Sequence, residues 1–167
     1  MRRVSPLDSG ELGELVCPGC GRTPGAATFG LQTVRDGRTI GMLGAMDAEA
    51  AGGFYPRASI VITQLWVRPE DRGELVGTQL VQRLAAQVAR HRIRCIVAHG
   101  TYAAATCQQL PAEWLEQRGF VAAQARGQWR LDLRRTVWVP HAVRVTLQAG
   151  LRALHPERPA PASRDFR

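Results

Sequence analysis

Between Gln64 and Thr78 the chain reads Gln-Leu-Trp-Val-Arg-Pro-Glu-Asp-Arg-Gly-Glu-Leu-Val-Gly-Thr. An apolar strand ends at Val67, a proline closes it, and Arg72-Gly73-x-x-x-Gly77-Thr78 opens a helix with an apolar stripe. This layout directs main-chain N–H groups and a helix N-terminus at one point, which is how proteins hold phosphate. The segment therefore points to a ligand bearing a pyrophosphate. Five side chains elsewhere are candidates for proton transfer: Tyr55, His99, Tyr102, Cys107 and Glu113. Gln64 cannot titrate, so the strand leading to the turn carries no carboxylate. Glu113 falls in the first turn of an expected helix, where the dipole favours a carboxylate whatever its role. His99 at a strand end suits packing as well as catalysis, and Tyr55 and Tyr102 fall in loops. The catalytic acid and base stay unassigned at this stage.

Four cysteines stand at 17, 20, 95 and 107. Cys17-Pro-Gly-Cys20 has the spacing of half a zinc knuckle, and its Pro-Gly turn aims both sulfurs the same way. A structural site needs two more ligands at similar spacing, and none follows. Inert loop-shaping thiols, a metal site with distant partners and a redox pair all remain open, and no metal is assigned. Cys95 belongs to a buried strand and Cys107 stands alone. Structural disulfides are not expected.

The chain has 167 residues, enough for one domain with a sizeable core. No apolar run reaches the roughly 18 residues that cross a bilayer, and no signal-peptide layout opens the chain. A cytoplasmic protein is the default expectation. The net charge of +8 raises nucleic acid as a partner. However, the sequence contains neither Lys nor Asn, so its basic side chains are all Arg, a skew expected from GC-rich coding. Acids are missing from Leu75 to Ala112 and from Leu133 to Pro156, which favours a polyanionic small ligand at the turn. Nucleic acid is disfavoured because aromatics are few and no stacking pattern accompanies the arginines.

These groups must be positioned by a mixed α+β scaffold. Residues 1–28 read as a short irregular segment, with at most a turn of helix near Glu11–Val16. Phe29–Arg35 alternates as a strand, Asp36-Gly37 turns the chain, and Ile40–Met46 returns. Ser59–Val67 is apolar almost throughout, as in a strand covered on both faces. Val76, Leu80, Val81, Leu84, Val88 and Ala89 mark a helix over Val76–Arg92. Arg94–His99 then forms a strand parallel to Ser59–Val67. A helix over Ala112–Arg118 ends at Gly119, and a hairpin of Phe120–Gln124 with Gln128–Leu133 closes the domain. Pro140–Leu154 predicts a C-terminal helix within 137–155, followed by a mobile Pro/Arg-rich tail over 156–167. The helix stripe and the tail would suit a homodimer.

The order strand, Arg72-Gly73-x-x-x-Gly77-Thr78, helix, strand, then Leu115-x-x-x-Gly119-Phe120 resembles the GNAT superfamily of acyl-CoA N-acyltransferases. The resemblance covers residues 29–136. The segments Leu110-Pro111-Ala112-Glu113-Trp114-Leu115 and Arg130–Thr136 resemble an uncharacterised bacterial branch that carries an N-terminal Cys-x-x-Cys. The resemblance implies a central mixed sheet whose parallel strands splay apart, flanked by helices. It implies acetyl-CoA as cosubstrate and direct attack on the thioester by a small-molecule or protein amine. Leu65 and Val67 would then bind the acetyl carbonyl and the pantetheine arm through their backbones. Amides of Arg72, Gly73, Glu74, Leu75, Val76, Gly77 and Thr78 would cradle the pyrophosphate. The alternative is a non-catalytic acyl-CoA sensor or degenerate transferase. Three departures bear on this choice. Leu75 replaces a usual glycine, and its φ is expected to stay negative with the side chain turned away. Leu115 takes the place of the tyrosine that protonates the departing thiolate. The strand and two helices that normally precede the first hairpin look shortened.

Overall fold

A computed structural model describes residues 1–14, 16–23 and 27–134 of the chain. The expected C-terminal helix and tail lie outside the described residues. The strands are β1 (Arg2–Leu7), β2 (Phe29–Arg35), β3 (Arg38–Asp47), β4 (Ser59–Val67), β5 (Cys95–Thr101), β6 (Leu110–Pro111), β7 (Val121–Ala122) and β8 (Gln128–Asp132). The helices are α1 (Ser9–Glu14), α2 (Val76–Val88) and α3 (Ala112–Glu116). The strands join one mixed sheet in the order β1-β2-β3-β4-β5-β8-β7, with β6 added beside β5. This is the expected α+β architecture. None of the described helices is long and apolar enough to cross a membrane.

The first 28 residues are more ordered than their composition suggests. Arg2–Leu7 pairs antiparallel with β2 along its whole length, so the first strand begins at Arg2 and not at Phe29. Its proline and two arginines hide a strand from pattern reading, yet they suit a sheet edge, where one side of the backbone needs no partner. Asp8 and Glu11 form a reciprocal capping box, Asp8 Oδ1 accepting from the Glu11 amide at 2.8 Å and Glu11 Oε2 from the Asp8 amide at 2.9 Å. That cap starts α1 and lowers Leu12 into full burial with Leu7 and Ala27. Among the described residues, one short helix therefore stands where the resemblance leads one to expect two, and the Cys17–Cys20 segment follows it.

Helix α2 crosses between β4 and β5, which is why these two strands run parallel. Val76, Leu80, Leu84 and Val88 are buried to 1% exposure or less against Ile60, Ile62 and Ile96 of the sheet. The α-helix ends at Val88 and continues as a 3₁₀ turn to His91, closed by Arg92 in the left-handed region at φ 59°.

Strand β4 contains the feature that shapes the site. Gly44 of β3 faces Gln64, but Ala45 faces Ile62, so Thr63 is an extra residue without a partner on β3. A bulge bends its strand and shifts the side-chain phase. Before it, Ile60 and Ile62 face α2; after it, Leu65 joins the same core and Trp66 packs on the opposite face with Met42 and Cys17. Pairing of β4 with β5 stops at the same place, running only from Ser59–Cys95 to Val61–Val97. Beyond Val61 the two parallel strands separate, as the splayed sheet requires.

Leu84 lies at the centre of this core with 0% exposure. Leu84→Ala is expected to lower unfolding free energy by about 2–5 kcal/mol, read as a lower urea midpoint with an unchanged slope.

Candidate functional site

The gap between β4 and β5 opens on both sides of the sheet. On the α2 side a groove of ≈ 730 Å³ runs from Leu65, Trp66 and Val67 past Arg72, Gly73, Leu75, Val76, Gly77 and Thr78 to Trp114 and Arg118. That volume suits a cofactor-sized ligand. Its floor is the N-terminus of α2, a helix of 13 residues with no side-chain cap and no acid in its first turn. Among the described residues, no hydrogen bond engages the amides of Gly73, Leu75, Val76, Gly77 or Thr78. The first intrahelical bond belongs to Gln79, which donates to Leu75 at 2.9 Å. Such a row of open N–H groups, backed by the dipole, is an anion cradle.

The turn before the helix is held from behind. Asp71 is 7% exposed and accepts from Arg35 at 2.8 Å. Arg35 also grips the Glu74 carboxylate, which that contact holds below the usual carboxylate range. Arg2 donates to the Glu74 carbonyl at 2.8 Å. Strands β1 and β2 thus fix the turn through two arginines. The amides of Arg72 and Glu74 bond back within the turn to Pro69 and Asp71, so those two are less open than their neighbours.

Leu75 departs from expectation. Its φ is +62°, in the left-handed region, and its side chain is 58% exposed. The helix start imposes the conformation that a glycine would adopt freely, at a cost of about 1–3 kcal/mol for a branched side chain. Gly73 takes φ +89° without that cost.

Two residues at the far wall, Trp114 and Arg118, were not among the sequence candidates. The Arg118 guanidinium lies 4.1 Å over the Trp114 ring, and its Nε donates to Thr78 Oγ1 at 2.9 Å. A second bond from Arg118 reaches the Trp114 carbonyl at 2.9 Å. This places a half-buried, permanently charged cation beside the open amides of α2. A Cβ on Gly77 would meet Trp114 Cζ2 at 3.1 Å, so the helix and the indole confine the groove at that point. Spacing of i, i+4 from Trp114 to Arg118 was the available hint, and the Gly119-Phe120 signature drew attention past it.

The opposite face carries a second cavity of ≈ 500 Å³, lined by Met46, Tyr55, Ile62, Thr63, His99, Thr106 and Gln109 among others. Tyr55 and His99, named separately from the sequence, meet here: the phenol oxygen lies 3.1 Å from His99 Nε2 and the rings contact edge to face. Burial holds the His99 pKa below its ordinary value, so the imidazole is neutral at neutral pH. The Thr63 hydroxyl, on the bulge itself, is buried without a hydrogen-bond partner. Tyr102 and Glu113 do not join them. Tyr102 is 73% exposed and donates to Glu116, while Glu113 is exposed on α3 and lines neither cavity. Leu115 is fully buried in the core, so its position offers no acid to the groove.

The loop from Tyr102 to Gln109 divides the two cavities. Thr106 lines both, and the Thr106 hydroxyl accepts from the Gln108 and Gln109 amides to shape the turn. The Leu65 amide donates to the Cys107 carbonyl at 2.7 Å. A ligand carbonyl at Leu65 must therefore displace that bond, whereas Val67, two residues on, presents its backbone along the same edge. Cys107 is also not isolated as the sequence suggested: its sulfur lies 3.8 Å from that of Cys17, and Cys20 completes a cluster. Burial pushes the Cys107 thiol up to about 12, which removes it as a base at neutral pH.

Gly77→Val would set a branched side chain against Trp114 inside the cradle. It is expected to weaken binding of inorganic pyrophosphate, a probe of the open amides, at least about tenfold, or about 1.4 kcal/mol, by calorimetry, with the thermal unfolding transition retained.

Comparison with known proteins agrees with this geometry. A model described as the Acetyltransferase (GNAT) family matches residues 10–127. Compared by sequence with curated proteins, the chain matches none. Among solved structures, it is similar in fold to the ribosomal-protein-S18-alanine N-acetyltransferase from Escherichia coli. That pair is 13% identical with TM-score 0.55, over 80% of this chain and 94% of the other. It is similar also to a GNAT family acetyltransferase from Brucella melitensis in complex with acetyl-CoA, 18% identical with TM-score 0.55, over 79% and 88% of the two chains. A GNAT family acetyltransferase from Staphylococcus aureus Mu50 aligns at TM-score 0.51 and 10% identity over 63% of this chain and 67% of that one. The family match, the bulged and splayed sheet and the open start of α2 agree, and the chain belongs to the GNAT family of acetyltransferases.

Proposed function

We propose that the protein is an acetyl-CoA-dependent N-acetyltransferase that carries an acetyl group to a small amine or a protein amine. The observation that carries the reading is the pair of cavities on either side of the Tyr102–Gln109 loop, one floored by unbonded helix amides and one holding a neutral imidazole. In this reading the pyrophosphate lies on the amides of Gly73 and Leu75 to Thr78, with Arg118 and Arg72 supplying positive charge. The pantetheine arm follows Val67, and the thioester carbonyl takes the Leu65 amide from Cys107. The neutral amine enters beside Tyr55 and His99 and attacks the carbonyl carbon, and the proton its nitrogen sheds as the N–C bond forms passes to His99 Nε2 directly or through one water. The C–S bond then breaks and the coenzyme leaves as a thiolate, whose low basicity lets it depart without a protein acid and take its proton from water afterwards. The Leu65 amide is the donor for the developing oxyanion. The Cys17-Pro-Gly-Cys20 segment fits the branch with an N-terminal Cys-x-x-Cys.

A second reading is a sensor that binds acyl-CoA without turnover. It is favoured by the Leu65–Cys107 bond and by the buried Leu115. Calorimetry with acetyl-CoA and coenzyme A tests the shared ligand, and thiol release across an amine panel separates the two. Steady turnover with any acceptor excludes the sensor; absence of binding at millimolar ligand removes both.

The histidine predicts a pH profile. Its folded pKa is depressed, so the base is lost only as pH falls through a value below about 6.5. The rate with a fixed acceptor is expected to rise through a limb centred below that value. His99→Gln should cut turnover by about 10²–10⁴-fold and flatten the limb, while coenzyme A affinity stays within about twofold, or about 0.4 kcal/mol.

A further inference from the structure

The thiol cluster at the end of the groove has no part in acyl transfer as derived above. Cys17, Cys20 and Cys107 come from two segments ninety residues apart in sequence, and their sulfurs all lie within 4.8 Å of one another. We propose that these three cysteines bind a zinc ion whose fourth coordination position opens into the groove beside Leu65.

Four observations lead there. Two thiolates about 2.3 Å from a tetrahedral zinc stand about 3.8 Å apart, and the Cys17 and Cys107 sulfurs are separated by 3.8 Å. The segment Cys17-Pro-Gly-Cys20-Gly21-Arg22 is folded as a tight knuckle. The Gly21 amide donates to the Cys17 carbonyl at 2.8 Å, and the Cys17 amide donates to the Arg22 carbonyl at 2.8 Å. Gly21 takes φ +67°, which closes the turn. The knuckle is seated firmly, since a Cβ on Gly19 would meet the Trp66 indole at 2.5 Å. Finally, Gln64 is 1% exposed and its side-chain amide donates to the Cys20 sulfur at 3.3 Å. A buried amide aimed at a ligand sulfur is the outer-shell support that thiolate sites use.

Three soft ligands with nearby sulfur donors select zinc over magnesium or calcium. Binding replaces three S–H bonds by three Zn–S bonds and releases three protons to solvent. Cys17 is fully buried beneath Met42 and Trp66, whereas Cys20 and Cys107 both line the groove. The side of the cluster without a protein ligand therefore faces the cavity, where water or an exogenous thiolate can complete the tetrahedron. The ion would also tie the Tyr102–Gln109 loop to the N-terminal knuckle. The site stands on the cysteines alone and does not depend on the acyl-CoA reading.

The test uses the full-length protein purified without chelator. One zinc per chain is expected by elemental analysis, lost in Cys20→Ser and in Cys107→Ser and retained in Cys95→Ser. Cobalt in place of zinc should give intense tetrahedral d–d bands with sulfur-to-metal charge transfer. Adding N-acetylcysteamine, a small thiol that needs no phosphate cradle, should shift those bands. Circular dichroism of Cys20→Ser, whose side chain is exposed, separates metal loss from unfolding. Wild-type protein that holds no zinc and gives no charge-transfer band with cobalt overturns the site, as does a disulfide between any two of the three cysteines. A cobalt spectrum unmoved by the thiol overturns the open position.

Discussion

One unpaired residue in a central strand sets the rest of the molecule. Thr63 is a bulge in β4, and it does three things at once. It inverts the side-chain phase, so Leu65 rather than Gln64 meets α2 after Ile62. It ends the parallel ladder with β5 at Val61. It also leaves backbone amides of the second half of β4 facing a gap. A sheet interior normally has every amide paired, because unpaired buried donors are costly. Here the fold exposes that edge inside the protein, and the gap becomes the place where two cavities approach each other.

The start of α2 makes a second use of unpaired backbone. Helix α2 begins without a capping side chain, and its first residue outside the helix, Leu75, is held in a conformation that favours glycine. Packing of Val76, Leu80 and Leu84 fixes the helix axis, and the Arg35 contacts with Asp71 and Glu74 fix the turn. Between these anchors Leu75 has no freedom to relax to negative φ. The strain and the missing cap both lie where an anionic ligand would repay them.

How much of this was legible in the chain follows from where the constraints act. Strand β4, helix α2 and the closing hairpin are each specified by local periodicity, and Trp129 and Leu131 turn inward as their alternation requires. The Gly73–Gly77 spacing marked the turn. Strand β1 was not readable because an edge strand tolerates Pro6 and two arginines that a central strand would reject. Residue preference alone favours negative φ at Leu75, but the helix start overrides it. Tyr55 and His99 were individually visible, but their pairing is a product of tertiary fold, forty-four residues apart. Cys107 looked solitary for the same reason: its partners precede it by almost ninety residues, and only the loop through the splay brings them together.

That loop connects the two halves of the chemistry. Its Cys107 carbonyl satisfies the Leu65 amide, so the gap left by the bulge carries no orphan donor there. An acyl carbonyl arriving at Leu65 would exchange one N–H···O bond for another, and such exchanges are worth only about 1 kcal/mol net. The backbone contact alone is therefore a weak latch. Side chains add to it at both ends of the loop: Tyr102 donates to Glu116 and meets the Trp129 ring edge to face, and Cys107 packs with Cys17, Met42 and Trp66 under the N-terminal knuckle. The short amino-terminal segment thus does more than add an edge strand to the sheet. It provides the surface against which Cys107, on the partition between the two cavities, is packed.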